Sequence, residues 1–203
     1  MTKRILLDID DTLVSFSDMF CERWNRYVSS LNNDYKKFKV SIDDITEYDL
    51  MTSLNNFYLS KNISTITLRP YFLNCMQQIC DDRDFYKNPY YTLEYERIIK
   101  YLSNLKEDCK IVLYTKVLSY DMIISKCNFL NENKVLNSLI DEVIFQYEKN
   151  KQEPKSYNYD IIIDDAPHNI KYFLENNPNG KVLMPLRQFN KHCLEWSKRI
   201  EII

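Results

Sequence analysis

The sequence is almost without glycine, because its 203 residues include only Gly180. Glycine-rich sites that hold phosphate, such as the Walker loop and the dinucleotide-binding fingerprint, need several glycines so that the backbone can approach the phosphate. Both kinds of site are therefore excluded. Any phosphate chemistry in this chain has to use side chains and a metal ion.

The sequence has no excess of basic residues either. Its 27 lysines and arginines and 29 aspartates and glutamates give a formal net charge of −2. Proteins that hold long stretches of nucleic-acid backbone are usually strongly basic. We therefore expect a small-molecule partner and no stable nucleic-acid partner.

CxxC spacing and an N-terminal signal segment are also missing. The six cysteines are scattered, several of them in apolar stretches, so we expect them to be reduced and structural. The apolar run Ile5–Leu7 is too short for a signal peptide or a membrane span. These features predict a cytoplasmic protein without a membrane partner.

Five runs of apolar residues are typical of strands that are buried on both faces of a sheet. Helical patterns lie between them, and this alternation predicts an α/β fold with a parallel five-stranded sheet. The predicted strands are Arg4–Asp10, Lys110–Thr115, Glu142–Tyr147, Tyr159–Asp165 and Lys181–Pro185. The predicted helices are Thr92–Leu105, Tyr120–Asn133 and His168–Asn176.

Residues 16–89 interrupt this alternation. Apolar residues recur there at helical spacing, as at Met19, Phe20 and Trp24, and the segment is too long and too apolar for a loop. We therefore predict a small helical cap over residues 16–89, inserted after the first strand. Residues 1–15 and 90–203 would form the core domain.

Acidic and hydroxyl side chains stand where the predicted strands end. Asp8 and Asp10 end the first strand, Thr115 the second, and Asp164 and Asp165 the fourth. Open α/β sheets bind ligands beyond the carboxyl ends of their strands, so we expect these side chains to meet at one edge. Carboxylates at close range repel one another unless a cation intervenes. An all-oxygen set of ligands favours a hard ion such as Mg²⁺.

Two such aspartates suit phosphoryl chemistry. One can attack phosphorus to form an aspartyl-phosphate, and the other can protonate the leaving oxygen and later deprotonate water. The metal, a hydroxyl and a lysine would then balance the charge on the phosphoryl oxygens.

The ordered set of motifs resembles the haloacid-dehalogenase (HAD) superfamily of phosphatases, whose core is a Rossmann-like sheet. Asp8–Leu13 (DIDDTL) resembles motif I, Thr115 in VLYTK motif II, and Asp164 and Asp165 in DIIIDDAP motif IV. The resemblance implies that Asp8 is the nucleophile and a metal ligand. It further implies that Asp10 is the general acid/base and binds the metal through its backbone carbonyl, that Thr115 binds phosphate, and that Asp164 and Asp165 complete the Mg²⁺ site.

Motif III of the family is a lysine that shields the nucleophile and the phosphate. Lys149, Lys151 and Lys155 all precede the fourth predicted strand. We choose Lys155, because the short separation between it and Asp160 best resembles the family spacing. By the resemblance it would be a catalytic and substrate-binding residue.

Within the superfamily, the chain most resembles the 5′(3′)-deoxyribonucleotidases, which have a small helical cap after motif I and an IDD sequence in motif IV. The resemblance implies that Phe16 stacks on a nucleobase, and that Phe85 and Tyr86 form a second aromatic patch. Lys116 follows Thr115 where the family prefers a small residue, and we include it among the substrate-binding residues. Asp11 stands where glycine is frequent in the family.

The leading interpretation is a magnesium-dependent phosphomonoesterase that dephosphorylates deoxynucleoside monophosphates. The first alternative is a HAD phosphatase of another small metabolite or of polynucleotide 3′ ends. The second is a catalytically silent binding module on the same fold. The sequence leaves the base, the sugar, the position of the phosphate and a homodimeric state open.

Overall fold

One parallel sheet of six strands forms the centre of the structure, a computed structural model that describes residues 2–31, 39–64, 68–147 and 159–203. Across the sheet the order is β3-β2-β1-β4-β5-β6, so β1 lies between β2 and β4. The strands are β1 Lys3–Leu7, β2 Cys109–Val117, β3 Glu142–Tyr147, β4 Ile161–Ile163, β5 Lys181–Met184 and β6 Ile200–Ile202.

The described residues also form seven α-helices and two 3₁₀ helices. The α-helices are α1 Phe16–Leu31, α2 Leu50–Ser60, α3 Leu68–Cys80, α4 Tyr95–Leu105, α5 Tyr120–Glu132, α6 Lys134–Leu139 and α7 Pro167–Asn176. The 3₁₀ helices are Ile42–Asp44 and Gln188–Glu195. None of the helices in these ranges is long and apolar enough to cross a membrane.

The predicted parallel α/β sheet is confirmed, but the prediction of five strands was wrong by one. The sixth strand, β6, pairs with β5 at the edge of the sheet, where Ile200 lies beside Val182. Of its three residues only Ile200 is buried, whereas Glu201 and Ile202 are exposed. So short a strand, exposed on its outer side, lacks the continuous apolar run by which the central strands are recognised.

The buried stretches of the central strands, such as Ile5–Leu7 of β1, are apolar because helices cover both faces of the sheet. In β1, Ile5 and Leu7 point into the larger hydrophobic core, whereas Leu6 points into a second core that contains Phe173 of α7. Successive side chains of a strand alternate between faces, so a strand that is covered on both sides needs apolar residues at every position.

Helices α1, α2 and α3 follow β1 and contain most of the predicted cap. Aromatic side chains join them: the indole Nε1 of Trp24 donates to the Tyr58 hydroxyl over 2.7 Å, and the rings of Phe20 and Phe72 lie 5.9 Å apart. The described part of residues 16–89 contains no strand. The division of the chain into a core and a cap stays a prediction.

Candidate active site

The carboxyl ends of β1 and β4 bring acidic residues together. Leu7 pairs with Ile163, and the backbone N–H of Asp8 donates to the Ile163 carbonyl over 3.0 Å. Both strands are shorter than predicted, so Asp8, Asp164 and Asp165 lie in the loops directly after them. Loops that leave parallel neighbouring strands start side by side, which explains how residues more than 150 positions apart meet.

Asp8, Asp164 and Asp165 form a compact set of oxygen ligands. One carboxylate oxygen from each lies within 4.8 Å of the other two. Among the described residues, this is the one group of His, Cys, Asp or Glu side chains with such spacing. Oxygen donors in this arrangement suit Mg²⁺ better than a softer transition metal.

Hydrogen bonds from neighbouring groups orient two of these carboxylates. Asp164 accepts from the backbone N–H of Ala166 at 2.8 Å and from Asn169 Nδ2 at 2.9 Å. Asp165 Oδ1 accepts from the Thr12 hydroxyl at 3.1 Å, whereas its Oδ2 is buried and has no hydrogen-bond partner. A buried carboxylate oxygen without a partner is costly, and a cation would supply the missing interaction. The residues therefore fit a magnesium ion.

The electrostatics of the cluster also favour a bound cation. Burial, followed by repulsion from Asp164 and Asp10, raises the pKa of Asp8 well above its usual range. Burial raises the pKa of Asp164 to about 7, and burial together with repulsion from Asp11 raises that of Asp165. A divalent cation among these side chains would offset both effects and favour the ionised carboxylates.

Asp10 is not part of this set, and its carboxylate contacts two other side chains. Its Oδ2 lies 2.6 Å from Lys126 Nζ, and its Oδ1 accepts from the Tyr86 hydroxyl at 2.6 Å. Lys126 Nζ also donates to Thr115 Oγ1 at 2.5 Å and to the Lys116 carbonyl at 2.9 Å. Lys126 thereby joins the two segments that resemble motifs I and II.

Sequence reasoning did not identify Lys126. It lies on α5 and is fully buried, on the same side of the helix as Met122 and Phe129. A lysine in the apolar stripe of an amphipathic helix is unusual, because buried lysines need a partner for their charge. That position in the stripe is the signal that could have drawn attention to it.

The loop that holds the aspartates turns at Asp11, whose φ of 52° lies in the left-handed region. Glycine adopts this conformation most easily, and the Asp11 side chain is tolerated here with the contacts described next. Here the Asp11 carboxylate accepts from the backbone N–H of Ser17 at 2.9 Å and from its hydroxyl at 2.7 Å. The Asp11 carbonyl accepts from Arg187 Nε at 3.0 Å and from Nη2 at 2.7 Å. Four hydrogen bonds thus stabilise the turn.

A cavity of about 230 Å³ opens directly beside the aspartates. Asp8, Asp10 and Asp165 form part of its wall. This volume is slightly below the roughly 300–1,000 Å³ of typical ligand pockets, which suits a small ester. The apolar and aromatic part of the wall consists of Phe16, Tyr48, Leu50, Met76, Tyr114, Leu118 and Met122, and the other polar side chains are Asp11, Lys116, Gln146, His168 and Asn169.

The predicted substrate-binding residues fall into different places. Phe16 and Lys116 line the cavity. Phe85 packs edge-on against Phe16 with 5.8 Å between ring centroids, so it lies in a second layer. Tyr86 is fully buried and contacts Asp10, and its ring has no exposed face on which a base could stack.

The predicted motif III lysine cannot be placed. Lys155, and with it Lys149 and Lys151, lies outside the described residues. Its role, like those of the other predicted site residues, stays a prediction.

Tyr48 is a cavity residue that sequence reasoning missed. It comes from the segment that precedes α2, and its ring lies edge-on to His168 at 5.0 Å and to Phe189 at 5.6 Å. Tyr48 is 46% exposed; partial burial of its phenol, with a contribution from the nearby Asp165 and Asp164, raises the pKa of the phenol. Tyr48 therefore joins the predicted cap to α7 and to the 3₁₀ helix Gln188–Glu195.

No protein-family model and no curated protein sequence matches the chain. Its fold is similar to solved structures of HAD-superfamily hydrolases. A protein from Clostridium acetobutylicum described as a predicted phosphatase has a TM-score of 0.59 and 17% identity, over 100% of this chain and 94% of that chain. A subfamily IA hydrolase from Geobacter sulfurreducens has a TM-score of 0.55 and 13% identity, over 95% and 96%.

A third similar structure is the HAD hydrolase YfnB from Bacillus subtilis bound to magnesium, with a TM-score of 0.52 and 14% identity over 91% of this chain and 88% of that chain. At such low identities the likeness concerns the fold. The chain thus has the α/β fold of the HAD-superfamily hydrolases.

Proposed function

We propose that the protein is a magnesium-dependent phosphomonoesterase that acts through an aspartyl-phosphate on Asp8. The observation that carries the proposal is the set of Asp8, Asp164 and Asp165 oxygens within 4.8 Å of one another. The unpartnered buried oxygen of Asp165 belongs to this set, and the cavity beside it is large enough for a small ester. The fold shared with magnesium-bound YfnB supports the same ion.

In the proposed reaction, a carboxylate oxygen of Asp8 attacks phosphorus while the bond from phosphorus to the leaving oxygen breaks. Asp10 donates a proton to that oxygen and then takes one from a water molecule, which attacks phosphorus and releases Asp8. A bound Mg²⁺ would supply positive charge for the carboxylates and the phosphoryl oxygens. By family resemblance, the Thr115 hydroxyl and a lysine would bind the phosphate; in this structure Thr115 is fully buried and is not on the cavity wall.

The substrate class that we propose is a deoxynucleoside monophosphate. Phe16 is on the cavity wall, and Phe85 supports it from behind. Apolar side chains such as Leu50 and Met76 line the same cavity. An aromatic side chain on the cavity wall is suited to a planar base, because stacking on an aromatic ring is worth about 1–3 kcal/mol.

Steady-state assays with Mg²⁺ on a panel of esters test both the proposed reaction and the proposed substrate class. The panel contains 5′ and 3′ deoxy- and ribonucleotides, sugar phosphates and a 3′-phosphorylated oligonucleotide, with Asp8→Asn as the inactive control. Highest kcat/KM on a deoxynucleotide supports the substrate. Preference for a sugar phosphate or for the oligonucleotide would favour the first alternative, and binding of a nucleotide without turnover would favour a silent binding module.

A further inference from the structure

Tyr86 is fixed by contacts on several sides: its hydroxyl donates to Asp10, and Lys126 Nζ lies 5.2 Å from the centre of its ring. The side chain is fully buried, and its hydroxyl lies 2.6 Å from Asp10 Oδ1. The ring packs edge-on against Phe85 at 5.2 Å and lies 6.5 Å from Phe129. Its backbone N–H donates to Ser125 Oγ at 2.9 Å, which ties the residue to α5. The hydroxyl is therefore held in one place by its surroundings.

The contacts of Asp10 use both of its oxygens. Lys126 Nζ binds Oδ2, and the Tyr86 hydroxyl binds Oδ1. Two donors on different oxygens fix the plane of a carboxylate, which a single donor would leave free to rotate. The Asp10 side chain is nevertheless 27% exposed and lies on the cavity wall, so it can still reach a bound ester.

Tyr86 itself has no access to the substrate. It is not among the residues of the cavity wall, and it shows no exposed surface. Its hydroxyl can therefore affect turnover only indirectly, and Asp10 is the described side chain to which that hydroxyl donates. Small misalignments of a general acid are costly, because proton transfer requires hydrogen-bond distance to the leaving oxygen.

We propose that Tyr86 is a positioning residue that aims the carboxyl group of Asp10 at the leaving-group oxygen. The inference rests on the proposed function, in which Asp10 is the general acid. It differs from the expectation that Tyr86 binds the substrate. If it is correct, loss of the hydroxyl should slow the hydrolysis of an ester more strongly when the leaving group of that ester needs a proton.

The test compares benzyl phosphate with 4-nitrophenyl phosphate, two esters of similar size. The first releases an alcohol and needs the proton, whereas the second releases a stabilised phenolate and needs it little. The measured quantity is kcat/KM, which includes the steps up to the first irreversible one and so reports on departure of the leaving group. We expect Tyr86→Phe to lower kcat/KM about tenfold for benzyl phosphate and less than about threefold for 4-nitrophenyl phosphate, because acid catalysis contributes about 10²–10⁴-fold.

The matched control is Tyr58→Phe. Tyr58 is also fully buried, and its hydroxyl accepts from Trp24 Nε1 at 2.7 Å, within the predicted cap. Its loss should leave the ratio of the two kcat/KM values as in the wild type. Asp10→Asn is the positive control and should show a stronger preference for 4-nitrophenyl phosphate than Tyr86→Phe. Thermal melts of all variants confirm that each is folded.

The outcomes separate the two proposals. Equal losses on both esters, or no loss on either, would overturn the positioning role of Tyr86 while the phosphatase activity stands. A wild-type enzyme without turnover of any phosphomonoester would overturn the proposed function and this inference with it. A leaving-group preference in Asp10→Asn that is absent from Tyr86→Phe would show that Asp10 is the acid and that Tyr86 does not position it.

Discussion

The Nζ atom of Lys126 lies 2.6 Å from Oδ2 of Asp10, although the two residues are 116 positions apart in the chain. The lysine side chain is fully buried, whereas that of Asp10 is 27% exposed. The pair is therefore asymmetric: water can reach the aspartate but not the lysine. Removing Asp10 and removing Lys126 should therefore lower the free energy of unfolding by different amounts.

We expect Asp10→Asn to destabilise the protein more than Lys126→Met. The first change leaves a buried ammonium group without its counter-charge, which costs about 3 kcal/mol or more. The second leaves a carboxylate that water can solvate, and methionine fills most of the vacated space. Urea unfolding of the two single variants and the double variant gives their coupling free energy. Equal costs for the two single variants would contradict the asymmetry.

The position of the acidic residues could be predicted from the sequence because it follows from local rules. Asp8, Asp164 and Asp165 follow apolar runs that are typical of central strands, and parallel strands place such residues at one edge. The position of each acidic residue after its apolar run can be recognised from the neighbouring sequence alone. The same reasoning could not show that strands β1 and β4 end earlier than predicted, at Leu7 and Ile163.

The contacts of Lys126 and Tyr86 could not be predicted in this way. Both depend on tertiary packing between segments far apart in sequence: α5 brings Lys126 to Asp10, and the packing of Phe85 and Phe129 buries Tyr86. An aromatic residue in an insertion can equally line a cavity or fill a core. Only its exposed surface distinguishes the two, and that surface is a property of the folded chain.

Magnesium should stabilise the folded protein independently of turnover. A ligand that binds only the native state adds about 2.7 kcal/mol at a concentration of 100 times its Kd, so the melting temperature should rise with added Mg²⁺. Asp165→Asn should abolish most of this rise. The exposed Asp108 precedes β2 at the opposite end of the sheet, and Asp108→Asn should respond like the wild type. An undiminished rise in Asp165→Asn would remove this residue from the metal site.

Turnover should stop in excess chelator and return with Mg²⁺. Calcium should also raise the melting temperature, because it accepts the same oxygen ligands, but it should support turnover poorly since its larger and looser coordination shell misplaces the reacting groups. Parallel melts and assays in the two metals measure binding and catalysis separately. Full activity in excess chelator would exclude the metal from the mechanism.

Asp8→Asn should abolish turnover and leave the fold intact. An amide cannot attack phosphorus, and the change removes one charge from the metal site. Because Asp8 is repelled by Asp164 and Asp10, its neutralisation should not lower the melting temperature of the metal-free protein. The measurements are magnesium-dependent hydrolysis and a thermal melt in chelator. Retention of more than a few per cent of wild-type activity would disprove the role of Asp8 as nucleophile.

Phe16→Ala should raise KM for a deoxynucleotide about tenfold, since a stacked base gains about 1–3 kcal/mol from an aromatic ring and 1.4 kcal/mol corresponds to a factor of ten. Acetyl phosphate, which has no ring to stack, should be hydrolysed at nearly the wild-type rate.

The competing explanation is that Phe16 serves the core through its contact with Phe85. In that case truncation costs about 3–5 kcal/mol of stability and lowers both activities together. Phe16→Leu decides between them, because leucine keeps most of the apolar volume but lacks a flat face. A raised nucleotide KM in Phe16→Leu with an unchanged melting temperature supports stacking, and wild-type kinetics in this variant would count against it.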